Sequence, residues 1–196
     1  MHKLNDDAWN KSAPYLASDI GGYPPSIVHH SIALLLGDEE VTQSRVEYVM
    51  GIRQADGSEK CTWRVWVTTA HHLAHVDVEI DADTYTLDEE QERYRQINPA
   101  VARVRAAWIR PLSAILELAL VGDTSARSSA GRERWIRIPA IKLSFAHLQP
   151  VSIPVDVADR RGEKERTASF VDVLRGAVQQ PHQHPDNSKR AADVNE

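Results

Sequence analysis

Three consecutive stretches of alternating apolar and polar side chains constrain this chain more than any other feature. Val46, Tyr48, Met50 and Ile52 alternate with Arg45, Glu47, Gly51 and Arg53. Cys61, Trp63, Val65 and Val67 alternate with Thr62, Arg64, Trp66 and Thr68. Ala74, Val76, Val78 and Ile80 are opposed by His75, Asp77, Glu79 and Asp81. A period of two places each apolar set on one face of a strand. Ala55-Asp56-Gly57-Ser58 supplies turn chemistry between the first two stretches. Connections this short join neighbouring strands head to tail, so an antiparallel meander is predicted.

The remainder continues mainly as β. Residues 101–110 favour a strand. Pro111–Val121 admits two readings. Leu112, Ile115, Leu116, Ala119 and Leu120 fit a helix from Pro111, whereas Leu116, Leu118 and Leu120 alternate as a strand. A turn at 111–114 followed by a strand at 115–121 is the favoured one. Gly122–Gly131 reads as a polar loop, and strands are expected around 134–145 and 151–157. Glu163–Val178 returns to the helical period, with Phe170, Val171, Leu174, Ala177 and Val178 on one face. Near the start, Ser26 has the chemistry of an N-cap, and Gly37 ends a predicted helix over 27–36. Asp88–Ile97 is highly charged and reads as a short exposed helix or an insertion, closed by Asn98-Pro99. Residues 1–25 read as an irregular extension packing through its aromatics. The expected division is an extension with a short helix at 1–40, a β domain at 41–180 and a tail, disordered by composition, at 181–196.

Composition limits the classes open to such a chain. Of 196 residues 42% are apolar and 26% charged, enough for an ordinary core. A lone Cys61 supports no disulfide framework and fits a reducing cytoplasm. The longest apolar run, 32–36, is far short of the ~20 residues that span a bilayer. Met1–Asp7 lacks the apolar stretch of a secretion signal. The net charge is 23 − 28 = −5, divided into 8 − 17 = −9 for residues 1–100 and 15 − 11 = +4 for 101–196. An acidic chain is poorly suited to displacing counterions from nucleic acid, so no nucleic-acid partner is expected.

About seven strands closed by an amphipathic helix resemble the pleckstrin-homology-like superfold, including its bacterial and GRAM-type members. Val65-Trp66-Val67-Thr68-Thr69-Ala70-His71-His72-Leu73-Ala74-His75-Val76 is similar to the strand–turn–strand that carries V-x-V-T-x-x-R-L in such domains. Arg110–Leu118 is similar to their I-x-x-I-x-x-V turn into a strand. Val151–Pro154 followed by Ala168–Arg175 resembles the last strand and closing helix. The likeness covers residues 40–179 and rests on hydrophobic patterns. His72 stands where the family often has Arg or Lys, and the first 40 residues have no counterpart in the minimal domain. The resemblance implies a mainly β (α+β) fold, an antiparallel sandwich or barrel of about seven strands with its C-terminal helix plugging one corner and an N-terminal helical extension. It also implies a platform for phospholipid headgroups, peptides or partner proteins, although fold alone does not fix function.

The chemistry-bearing residues divide into groups. His71, His72 and His75, with Asp77 as a further ligand, suggest a metal, but solvated histidines beside a tight turn need no CxxC pair or helical HxxxH motif, and neither is present. Asp81-Ala82-Asp83-Thr84-Tyr85 is not followed by the glycine of a calcium loop, and the acidic stretch at 77–92 reads as a charged edge that discourages aggregation. Cys61 lies in an apolar alternation where a thiol is inert. There is no G-x-S-x-G elbow, dinucleotide fingerprint or phosphate loop, so no catalytic residue, metal or cofactor is assigned. Arg103, Arg105, Arg110, Arg132, Arg134, Arg137 and Lys142 form the leading basic group. Converging guanidiniums suit bidentate capture of phosphate or carboxylate, and pairing with the acidic stretch at 77–92 is the competing account. Trp66 and Trp108 suit a protein interface, where Trp and Arg are enriched, and a two-sheet core would absorb both.

The expected function is therefore a non-enzymatic binding or adaptor module for a protein partner, with Arg103, Arg105, Arg110, Arg132, Arg134, Trp66 and Trp108 as contact residues. Anionic lipid headgroups are the alternative ligand and an unrecognised enzyme the third reading. Self-association stays open. The Gln54–Lys60 hairpin offers only Lys60 beyond its flanking Arg53, which favours the protein partner over lipid.

Overall fold

The computed structural model describes residues 14–17, 22–96, 100–121, 127–129, 132–135, 140–155 and 161–179, with backbone alone at 93–96, 127–129, 132–135 and 161–162. The alternating stretches form β1 (Gln43–Arg53), β2 (Glu59–Thr68) and β3 (His72–Ile80), and β4 (Ala102–Pro111) completes a sheet of order β1-β2-β3-β4. All three pairings are antiparallel, with Val46 opposite Val65 and Val65 opposite Val76. This register aligns Val46, Tyr48, Cys61, Trp63, Val65, Val67, Ala74, Val76, Val78 and Ile80, all buried, on one face.

Helix α1 (Ser26–Leu36) covers that face with Val28, Ile32 and Leu36. Trp63 stacks on Tyr48 at 4.0 Å, and its indole N–H donates to the Tyr85 carbonyl at 2.7 Å. The Tyr48 hydroxyl accepts from the Tyr85 amide, and burial pushes its phenol pKa up. The expected cap of α1 is corrected. Pro25 holds the N-cap position and makes no side-chain cap bond, while the Ser26 N–H donates to Glu90 Oε2 at 2.7 Å. A carboxylate from another helix thus satisfies a donor that the helix start leaves open.

That carboxylate belongs to α2 (Leu87–Gln96), expected as an exposed helix, yet its Glu90 is buried. Thr86 and Glu89 bracket its start reciprocally. The Thr86 N–H donates to Glu89 Oε2 at 2.7 Å, and the Glu89 N–H donates to Thr86 Oγ1 at 3.3 Å, a capping box. The alternation of β1 also fails at one point. Gly51, at φ +62°, sits in a bulge between Val49 and Ile52, its N–H donates to the Asp83 carbonyl, and Met50 turns to solvent. A bulge inserts one residue and so rephases every later side chain.

After β4 a 3-10 turn, Leu112–Ala114, leads into β5 (Ile115–Val121), so the strand reading of this segment holds. β5 joins β8 (Ala140–Phe145) and β9 (Leu148–Pro154) in a second antiparallel sheet of order β5-β8-β9. Between them β6 (Arg127–Ser129) and β7 (Arg132–Trp135) pair as a separate hairpin. The single strand expected at 134–145 is therefore two strands in different sheets, and β6 falls inside the expected polar loop. β8 is set apart by pairing with β5, 19 to 30 positions earlier, which local alternation does not encode, whereas β6 and β7 pair locally across a short turn within a segment of polar composition.

The closing helix α3 (Arg161–Gln179) packs against β1, β5 and the 3-10 turn, burying Phe170 and Leu174 completely. These two join Leu73, Leu112, Ile115, Ile141, Leu143, Phe145 and Ile153 in a second core cluster. The fold is mainly β, with two open antiparallel sheets of four and three strands and a C-terminal helix. The tail at 181–196 and most of the extension before Ser26 lie outside the described residues, although Leu16 is fully buried in the first cluster.

Candidate functional site

The face of the four-stranded sheet opposite α1 carries most of the residues singled out from the sequence. Its β1–β3 register sets Glu47, Arg64 and Asp77 in one row. Arg64 reaches Glu47 at 2.8 Å and Asp77 at 3.5 Å. Along the strands, Lys60 Nζ lies 2.8 Å from Glu79 and 3.5 Å from Asp81. Arg105 pairs with Glu79 at 2.6 Å, and Arg103 pairs with Asp81 at 3.2 Å. Hydrogen bonding from Lys60, reinforced by the Arg105 and Arg103 charges, holds the Glu79 carboxyl below its ordinary pKa range. Four cations and four carboxylates thus interleave across this surface. Arg103 and Arg105 remain more than half exposed, with side chains at 55% and 58%.

Further along the same face, aromatics replace the charges. Arg45, Trp66, His75 and Trp108 follow one another across the four strands. Trp66 stacks on His75 at 4.7 Å, and His75 meets Trp108 at 5.3 Å. The His75 Nδ1 position lies 3.1 Å from the Val65 carbonyl, so this nitrogen carries the proton. Burial lowers the His75 pKa against that hydrogen bond. Arg110 lies over Trp108 at 4.5 Å and over Phe145 at 4.7 Å, and donates to the Gln149 carbonyl at 2.7 Å. It fastens β4 to the β8–β9 turn through stacking on both rings. Trp66 is 3% exposed and belongs to the second core cluster, and Trp108 packs against that cluster. The two-sheet core therefore absorbs both tryptophans.

Arg132 and Arg134 fall in β7, where only the backbone is described. The structure brings Arg103 and Arg105 together and places Arg110 apart, beyond the aromatic row. Of the three histidines, His71 and His72 meet edge to face at 6.5 Å, and His75 stands apart from them. His75 faces the core, while His72 Nδ1 lies 2.7 Å from Glu39 Oε1. Glu39 also accepts from the Thr69 hydroxyl, and these contacts, Thr69 first, depress its pKa. Among the described residues no cluster of three or more His, Cys, Asp or Glu is arranged to hold a metal ion.

Two features escaped the sequence reading. Arg45, expected on a solvated face, is buried, donating through Nε to the Pro154 carbonyl at 3.0 Å and through Nη1 to the Val46 carbonyl. A crevice beside it, lined by Ala17, Ser44, Glu163, Arg166 and Thr167, encloses about 10 Å³, room for about one water. The second is the β5 edge. β5 pairs with β8 on one side, and among the described residues no strand lies on the other. Leu116, Leu120 and Val121 are exposed there by 54%, 64% and 40%. An apolar strand flanked by a charged segment in a two-sheet protein is a signal legible in Leu116-Glu117-Leu118-Ala119-Leu120-Val121, once its place at an edge is known.

The chain matches no protein-family model, no curated protein and no solved structure. No helix among the described residues is long and apolar enough to cross a membrane.

Proposed function

We propose that the chain is a non-enzymatic binding module, pleckstrin-homology-like in scaffold, that recognises a protein partner through the open edge of β5. The observation that carries this reading is the exposure of Leu116, Leu120 and Val121 on a strand that, among the described residues, is paired on one side alone. Unpaired backbone donors and acceptors beside exposed leucines form a template for an added strand, and natural sheets normally blunt such an edge with charge or proline. Between the bulged Leu116 and Val121, β5 has only Glu117 as a charge.

The lipid reading has weaker support. Headgroup capture calls for cations not already matched, and Lys60, Arg64, Arg103 and Arg105 each face a carboxylate. Those exposed arginines act as rim charges, which tune association rate and salt sensitivity more than affinity.

The test compares wild type with Leu120→Glu as bait in host lysate and in sedimentation with anionic vesicles. A protein retained by wild type and lost with the variant supports the reading. Sedimentation with vesicles that the variant leaves unchanged would overturn it in favour of the lipid surface.

A further inference from the structure

The identity of the segment that completes β5 follows from its register and charges, resting on the reading of that edge as a docking site. A strand added to an edge must place compatible side chains opposite each other, because like charges directly opposed destabilise the pair. For two copies of β5 related by a two-fold axis perpendicular to the sheet, residues pair antiparallel about one central residue, and opposed side chains share a face. Centring on Glu117 would set Glu117 against its own copy. Centring on Leu118 sets Glu117 against Ala119 of the second copy, and Leu116 against Leu120.

The neighbouring strand then decides between this register and the next. Ala119 lies opposite Lys142 of β8, and Glu117 lies opposite Ser144. With Leu118 at the centre, one row across the joined sheets reads Lys142, Ala119, then Glu117 of the second copy, and symmetry repeats it. Lys142 and that Glu117 are two strands apart, about 9.6 Å at the usual spacing, with only the Ala119 methyl group between them. A lysine stem and a glutamate together span that distance. Both side chains are exposed, and among the described residues Lys142 has no ionic partner. Among the described residues Glu117 accepts a long contact from the Ser144 hydroxyl, at 3.4 Å, and has no ionic partner. Centring on Ala119 instead loses both charge pairs, since Lys142 would align with its own copy.

We infer that the occupant of the β5 edge is β5 of a second copy of this chain, paired antiparallel about Leu118 and closed by two Lys142–Glu117 ion pairs across the two-fold axis. The six strands β9-β8-β5 and their copies form one continuous sheet. Leu120, the most exposed leucine on β5, is covered by the partner copy.

Sedimentation velocity on the full chain over a concentration series reads this directly. Wild type shifts from monomer to dimer as concentration rises. Glu117→Lys and Lys142→Glu, each of which turns both pairs repulsive, weaken the dimer by about 10-fold or more. The double variant Glu117→Lys/Lys142→Glu restores it. Far-UV spectra and melting curves of the exposed-site variants confirm that each is folded. A wild type that stays monomeric overturns the inference, as does a dimer indifferent to the single reversals or one that the double variant fails to rescue. A monomeric wild type that still retains a lysate protein lost in Leu120→Glu would overturn the second-copy assignment alone and leave the protein-partner reading standing.

Discussion

The two sheets solve the same burial problem differently. The four-stranded sheet is covered by α1 on one face, and its other face is half aromatic core and half ion-pair lattice. The charged groups of that lattice find partners within the chain. The three-stranded sheet is smaller, leans on α3 through one face and leaves an apolar strand at its boundary. A surface rich in charge is therefore the saturated one here, and the plainest stretch of the chain, Leu116–Val121, is the unsatisfied one. Charge density alone is a poor guide to a binding surface, because matched charges in water contribute little.

The largest losses are expected from removing a side chain that each region cannot replace. Trp63→Ala in the first cluster and Phe170→Ala in the second each leave a large cavity at a fully buried position, and each is expected to cost about 3–5 kcal/mol. Urea denaturation measures both. If the sheets are one cooperative unit, each variant lowers a single transition; two separated transitions would show that they unfold independently.

Acid distinguishes the regions next. Burial depresses the pKa of His29, inside the α1-covered core, from 6.5 to about 4, against a hydrogen bond to the Pro24 backbone. The unfolded chain binds a proton there below pH 6.5 that the folded chain refuses until about 4, so stability falls as pH drops through that window. The loss approaches about 3 kcal/mol at its acid end. His75, depressed for the same reason, adds in the same direction. His29→Leu should flatten the fall in melting temperature between pH 7 and 4.5 without abolishing it. An unchanged slope would place the acid sensitivity elsewhere.

Smaller effects sharpen the contrast at the surface. Thr86→Ala removes half of the α2 capping box, and is expected to cost ~1 kcal/mol in a chemical denaturation curve. Arg103→Ala breaks an exposed pair with Asp81, and should change stability by under about 1 kcal/mol, an effect that fades in high salt. Leu120→Lys on the open edge should change stability by no more than the ~0.5 kcal/mol typical of surface changes while lowering self-association and aggregation seen by light scattering. A marked destabilisation by this variant would mean that Leu120 is already covered within the chain.

Local alternation carried the meander. Val46, Trp63, Val65, Val76 and Ile80 lie where a period of two places them, because a strand's side chains must alternate. The helices at 26–36 and 161–179 were legible from their 3.6 period and from Gly37. The turn at 111–114 was legible with an alternative beside it, since short apolar runs satisfy both periods. The site was less legible. The pairing of Arg103 and Arg105 with Asp81 and Glu79 was one of two accounts of the same residues, and choosing between them required the β3–β4 register.

What the sequence by itself determined is which side chains seek water and which avoid it along each short segment, and therefore most of the elements and the first core. What only the tertiary structure decided is which strands meet. Pairing placed Arg45 beneath Pro154, 109 positions away, drew Trp66 into the second cluster, and split 134–145 between β7 and β8. It also left β5 at an edge. Such choices depend on burying area and satisfying backbone hydrogen bonds between segments far apart in sequence, and a periodicity spanning a few residues contains no information about distant partners.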